Sequence, residues 1–178
     1  TDKTSKIDMI VKYGKDFEIP LNHYSIPDLM EFKIGLIHDF QSAIRENIKW
    51  SEFIEYLIKF ANHDEKFWLN EDLLKVFQFK NYLVSEILRI EEIERLKFKL
   101  PSEFSNDIHL SQISGIEDLD KYGSYSAIRD LSGNDILKFD QIRKMKYKDC
   151  FIELAYRFDL MVFEKRKQVN FDKLNKVK

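Results

Sequence analysis

Apolar residues that return every three or four positions constrain this chain more than any other feature of it. Tyr147, Phe151, Leu154, Phe158 and Met161 advance by four, three, four and three, which lines them along one face of a helix. Ile142, Met145, Ala155 and Val162 extend the pattern. The same steps resemble two turns of a coiled coil, too short a repeat to establish one. This stripe reads first as a face buried against other helices and second as a face exposed for association. Its five residues are therefore the candidate protein-interaction residues.

Similar stripes recur upstream. Leu29, Phe32 or Lys33, Leu36, Ile37, Phe40 and Ile44 predict a first long helix over about residues 26–47, with Ser25 as its N-cap and Pro27 and Asp28 in its first turn. Gly35 lowers helix propensity there but lets a neighbouring element come close. Trp50, Phe53, Ile54, Leu57, Ile58 and Ala61 predict a second helix near residues 50–61. The polar run Asn62-His63-Asp64-Glu65 interrupts it. Asn70 is the expected cap of a third helix. Leu73, Val76, Phe77, Leu83, Val84, Ile87, Ile90 and Ile93 carry that helix to about residue 96, either unbroken or with a break near 79–81.

A period of two occurs in only two places. Ile7, Met9, Val11 and Tyr13, then Phe17, Ile19 and Leu21, flank Gly14-Lys15-Asp16 and predict a small hairpin. Pro20 has no amide to donate, so the second strand should lie at an edge or end early. Leu96, Phe98 and Leu100 alternate with lysines before Pro101 and could pair with that hairpin. Residues 101–134, studded with serine and glycine, offer short helices around Ile116–Tyr122 and Tyr125–Leu131. This is the stretch best suited to a binding loop.

The expected fold class is mainly α, an irregular multi-helix bundle with a small N-terminal β-hairpin or short sheet. One domain is expected over residues 1–164, including the β element and the serine- and glycine-rich connection. A basic flexible or docking tail follows over 165–178.

Composition narrows the function classes. With 44% hydrophobic and 34% charged residues, the chain is too apolar to be wholly disordered and too charged to live in a membrane. No apolar run approaches the roughly 20 residues that span a bilayer. Thr1-Asp2-Lys3-Thr4-Ser5-Lys6 lacks the apolar stretch of a secretory signal, and the lone Cys150 cannot form an internal disulfide. An intracellular, cytoplasmic setting is expected, with the protein free or inside a larger particle.

Chemistry-bearing patterns are sparse. His63 beside Asp64 and Glu65, and His38 beside Asp39, bring titratable groups together in sequence, but neighbouring positions on a helix do not face one another. Glu52/Glu55 and Glu91/Glu94 each share a helix face without a third ligand, since Ile87 stands one turn before Glu91; both pairs are expected to face solvent. No His-Glu-x-x-His, cysteine pair or calcium-loop spacing occurs. Ser114-Gly115 and Ser132-Gly133 do not form a nucleophile elbow, and Gly133-Asn134-Asp135 lacks the glycines and Lys-Ser/Thr of a phosphate loop. Cys150, inside an amphipathic stretch, reads as a structural thiol. Hence no catalytic residue, metal ligand or cofactor is assigned.

The remaining constellation is basic. Arg143, Lys144, Lys146 and Lys148 surround Tyr147, and Lys165, Arg166 and Lys167 follow. Such groups can neutralise phosphates while a ring stacks on a base. One helix cannot aim them all in one direction. The expected function is that of a non-enzymatic interaction, scaffold or assembly-accessory protein, with a protein partner or self-association and no membrane insertion. The alternative is salt-sensitive RNA or DNA binding through these seven residues.

Overall fold

The structure is a computed structural model and describes residues 28–46, 48–61, 65–107, 109, 122 and 125–176. The expected hairpin, Ser25, His63, Asp64 and Ser114-Gly115 lie outside them. Among the described residues the chain is mainly helical and contains no sheet. We number the α-helices α1 (Ile34–Arg45), α2 (Trp50–Ala61), α3 (Glu65–Asn70), α4 (Leu73–Lys97), α5 (Tyr125–Leu131), α6 (Phe139–Arg143) and α7 (Tyr147–Lys176). Short 3-10 turns occupy Leu29–Glu31, Ser102–Phe104 and Ile136–Lys138. No described helix is long and apolar enough to cross a membrane.

The described chain divides into two compact units. One takes in residues 28–29 and 40–90, the other residues 30–39 and everything from Glu91 onward. In the first unit, aromatic packing dominates. Phe40 meets Tyr56, Phe60 and Phe53 with ring centroids 4.9, 5.2 and 5.6 Å apart. Phe53, Leu57 and Phe60 bury the inner face of α2, while Glu52, Glu55 and Lys59 occupy its solvent side. Each fully buried aromatic or leucine of this kind stabilises the fold by about 1.5–3 kcal/mol. Phe60 did not stand out in the sequence stripe but completes it in space. On α4, Val76, Phe79, Leu83, Ile87 and Ile90 are buried, and Trp68 stacks on Phe79 at 5.1 Å.

Helix α4 is unbroken, and its cap is Asp72 rather than Asn70. The Asp72 carboxylate accepts from the Leu74 amide at 2.8 Å and its carbonyl from Val76 at 3.1 Å. That satisfies amides which have no partner inside the helix. Asn70 instead closes α3, donating from Nδ2 to the Lys66 carbonyl. The strand expected at residues 96–100 is absent, because the Phe98 amide continues the helical pattern to Glu94.

The second unit is organised by a junction that no local pattern encodes. Lys33 and Lys146 form an isolated antiparallel bridge. The Ile34 amide donates to the Met145 carbonyl at 2.9 Å, and the Tyr147 amide to the Phe32 carbonyl at 2.7 Å. Ile34 opens α1 and Tyr147 opens α7, so each helix finds a partner for its first unsatisfied amide in the segment leading into the other. This explains two departures from the sequence reading. The helix expected over residues 26–47 starts only at Ile34, and the one containing Ile142 is split between α6 and α7, because residues 32–33 and 145–146 commit their backbone to the bridge.

Gly35 makes the approach possible. A Cβ there would stand 2.9 Å from the Arg143 carbonyl oxygen and 3.0 Å from the Arg143 Cβ. Arg143 also clasps Asp39 at 2.7–2.8 Å, and Lys146 meets Glu31 at 2.8 Å. Farther along, Phe98 packs on Phe151 and Phe158 of α7, both at 5.7 Å. Helix α5 appears where the sequence placed it. Gly133 and Asn134 take positive φ values of 66° and 65° after it, and Asp135 then caps the next 3-10 turn through the Leu137 amide.

Candidate functional site

The sequence singled out residues on α7, and the structure divides that helix into two faces. Tyr147, 2% exposed, is the anchor of the inner face. Its hydroxyl donates to Glu94 at 2.6 Å, its ring stacks on Phe151 at 6.2 Å, and His38 meets it edge-on at 6.3 Å. Burial first, then the Glu94 charge and hydrogen bond, hold the phenol well above its ordinary range and keep it neutral. Phe151, Leu154 and Phe158 are half-buried on the same side, whereas Met161 is exposed. Four of the five candidate interaction residues are thus wholly or partly covered by the unit itself.

The opposite face was not read from the sequence, although it carries a signal of its own. Ile152, Tyr156, Leu160 and Phe163 advance by four, four and three, and Phe171 and Leu174 prolong them. All six are exposed, with Tyr156 at 62%, Phe163 at 57% and Leu174 at 71%. At a rise of 1.5 Å per residue the stripe runs for about 33 Å. An isolated exposed leucine is ordinary, whereas this is an aromatic-rich row along one helix face.

The basic set is distributed differently. Arg143 pairs with Asp39, Lys146 and Lys148 with Glu31, Lys165 with Asp107, Arg166 with Glu103 and Lys167 with Glu164. Lys144 is exposed. The Lys146 hydrogen bond lowers the Glu31 pKa, and the lysine is raised in turn. Six of the seven candidate nucleic-acid contacts therefore already face a carboxylate. Such exposed pairs are weak and exchangeable.

The sequence's other polar clusters separate or become structural. His38 is buried while its neighbour Asp39 is exposed and joined to Arg143. Glu94, expected to face solvent, is half-buried and bonded to Tyr147. The Ser132 hydroxyl donates to the Arg129 carbonyl, and Asn134 accepts from the Arg129 guanidinium at 2.9 Å. Those bonds belong to a helix end. Burial first, then Asp149, pushes the Cys150 thiol up to about 11, so it stays protonated near neutrality and is a poor nucleophile. Among the described residues no three His, Cys, Asp or Glu side chains gather into a group that could hold a metal ion.

No family model, curated protein or solved structure matches the chain.

Proposed function

We propose that this protein works non-enzymatically through protein contacts, as a scaffold or assembly-accessory protein, and that the outer face of α7 is its contact surface. One observation carries the reading. The row from Ile152 to Leu174 stays exposed while Tyr147, Cys150 and Val162 on the other side of the helix are buried, so it is apolar surface that its own unit leaves uncovered. Buried in a contact, large aromatic side chains such as Tyr156 and Phe163 contribute most of the binding energy. The same reading gives the protein an intracellular setting, where its single thiol remains reduced. Nucleic-acid binding has less support, because carboxylates beside six of the seven basic residues reduce the net positive charge offered to phosphates.

Affinity purification of the full chain from its native source, with and without nuclease, tests this. A stoichiometric protein partner, or a second copy of the chain, should survive nuclease and be lost with Tyr156→Glu and Phe163→Glu together. Recovery that depends on nucleic acid, and that falls steeply with salt, would replace the reading with the basic-surface alternative.

A further inference from the structure

The chain that leaves α4 follows α7 toward its C-terminus. Phe98 packs on Phe151 and Phe158, and Lys97 bonds both oxygens of Asp159 at 2.7 and 2.8 Å. Residues 102–107 then reach the turn at Lys165 and Arg166. Ser102–Phe104 is a 3-10 turn and residues 105–107 continue it as helix, so Glu103 and Asp107, four positions apart, fall on one side. Glu103 accepts from the Arg166 guanidinium at 2.6 Å and Asp107 from the Lys165 ammonium at 2.5 Å. The same ammonium stands 5.6 Å from the ring centroid of Phe104, which is buried.

Past this turn the surroundings of α7 change. Every residue from Arg166 through Asn175 is exposed, and Lys167 and Gln168 find Glu164 and Asp172 within the helix itself. Isolated helices under roughly 12–15 residues are marginal in water. The stretch from Arg166 to Lys176 therefore keeps its form by extension from the covered turns before it.

We propose that residues 102–107 are a clasp that decides whether the end of α7 is helical, and hence whether Phe163, Phe171 and Leu174 stay in line with the rest of the outer row. The coupling of clasp to helix stands by itself, whereas its use in regulating contact rests on the contact-surface reading above. Closed, the clasp covers the turn from which the last helical residues propagate. Open, it lets the helix fray back toward the Lys97–Asp159 pair. Ion pairs between exposed groups are weak and screened by salt, so the clasp opens well before its unit unfolds.

Hydrogen exchange of the full chain, resolved by residue with NMR, reads both states. Glu103→Lys with Asp107→Lys should quicken exchange of the amides of residues 162–175 by about ten-fold or more. Amides of residues 150–158 should be unaffected. Adding Lys165→Glu and Arg166→Glu re-creates both pairs with the charges reversed and should return most of the lost protection. Phe104→Ala, which opens the clasp without touching charge, should act like the first variant.

Wild-type exchange at residues 166–175 as fast as that of an unfolded chain overturns the proposal. So does a double variant whose exchange there is unchanged, or rises equally at residues 150–158, or is not improved by the reversed charges. Partner recovery tells the two readings apart. A nuclease-resistant partner held by the wild type should be lost with Glu103→Lys and Asp107→Lys together. If that variant keeps the partner although its helix end exchanges freely, the regulatory role falls and the contact surface stands. A wild type with no such partner sinks the contact reading and the regulation with it, while exchange still decides the clasp.

Discussion

Helices α2 and α7 are built from the same kinds of residue and solve different problems. In α2 the apolar side chains form one buried stripe, Phe53, Leu57 and Phe60, with charges opposite. In α7 the inner face is buried at Tyr147, Cys150 and Val162 and half-buried at Phe151, Leu154 and Phe158, yet Tyr156, Phe163 and Leu174 occupy the side where α2 has Glu52, Glu55 and Lys59. A helix that only has to fold needs a single apolar face. Under the proposed contact role the second face of α7 answers a demand beyond the stability of its unit, and the two helices should answer differently to the same kind of mutation.

The largest effect is expected at Phe60→Ala. Removing a fully buried ring from the Phe40 cluster should cost about 4 kcal/mol in urea unfolding, through lost transfer energy and the cavity left behind. A loss below about 1 kcal/mol would mean that α2 is not the single-purpose helix described. Gly35→Ala comes next, at about 3 kcal/mol, because the new methyl meets the Arg143 backbone and one of two well-packed segments must move. If that change were neutral, the entry of α7 would not be held by its junction with α1.

Tyr147→Phe tests the inner face of α7 and should cost about 1.5 kcal/mol for the hydroxyl bonded to a carboxylate. It also has a pH signature. Burial favours the neutral phenol, so the folded pKa lies above the unfolded value near 10. The stabilisation is intact below that pH and is lost as pH rises past it. Cys150 behaves likewise between its ordinary 9 and about 11. Urea midpoints should thus fall from pH 9 upward in the wild type. Tyr147→Phe should keep the parts of the decline owed to the thiol and to Tyr82, whose phenol burial also raises, and lose less than the wild type above pH 10. The smallest effect belongs to the outer face. Phe163→Ala should change the stability of the dilute monomer by less than about 0.5 kcal/mol, and a larger loss would erase the contrast between the two faces.

What could be read in the sequence follows the range of the interactions. Helix α2 was legible end to end, since its stripe and the polar run after Ala61 are local signals, and α5 was bounded in the same way. The split between α6 and α7 and the delayed start of α1 were not. They depend on hydrogen bonds between residues 32–34 and 145–147, segments with no mutual mark in the sequence. The strand expected at residues 96–100 misread alternation that the end of α4 accommodates. At the candidate site, the inner stripe was visible as a pattern, but the bond from Tyr147 to Glu94 spans 53 positions. The outer stripe was visible too. It was overlooked because one amphipathic face had already accounted for the helix.

The reciprocal amides at the starts of α1 and α7 also impose an order in time. Their flanking ion pair, Lys146 with Glu31, joins residues 115 positions apart. On a ribosome adding about 5–20 residues each second, the segment around Gly35 exists for roughly 6–23 s before its mate is made. The Ile34 amide and the face of Gly35 that Arg143 later covers stay open for all of that interval. The junction therefore closes only once Tyr147 has followed Met145, and a nascent chain stalled before these residues would present an open half-junction to whatever chaperone meets it.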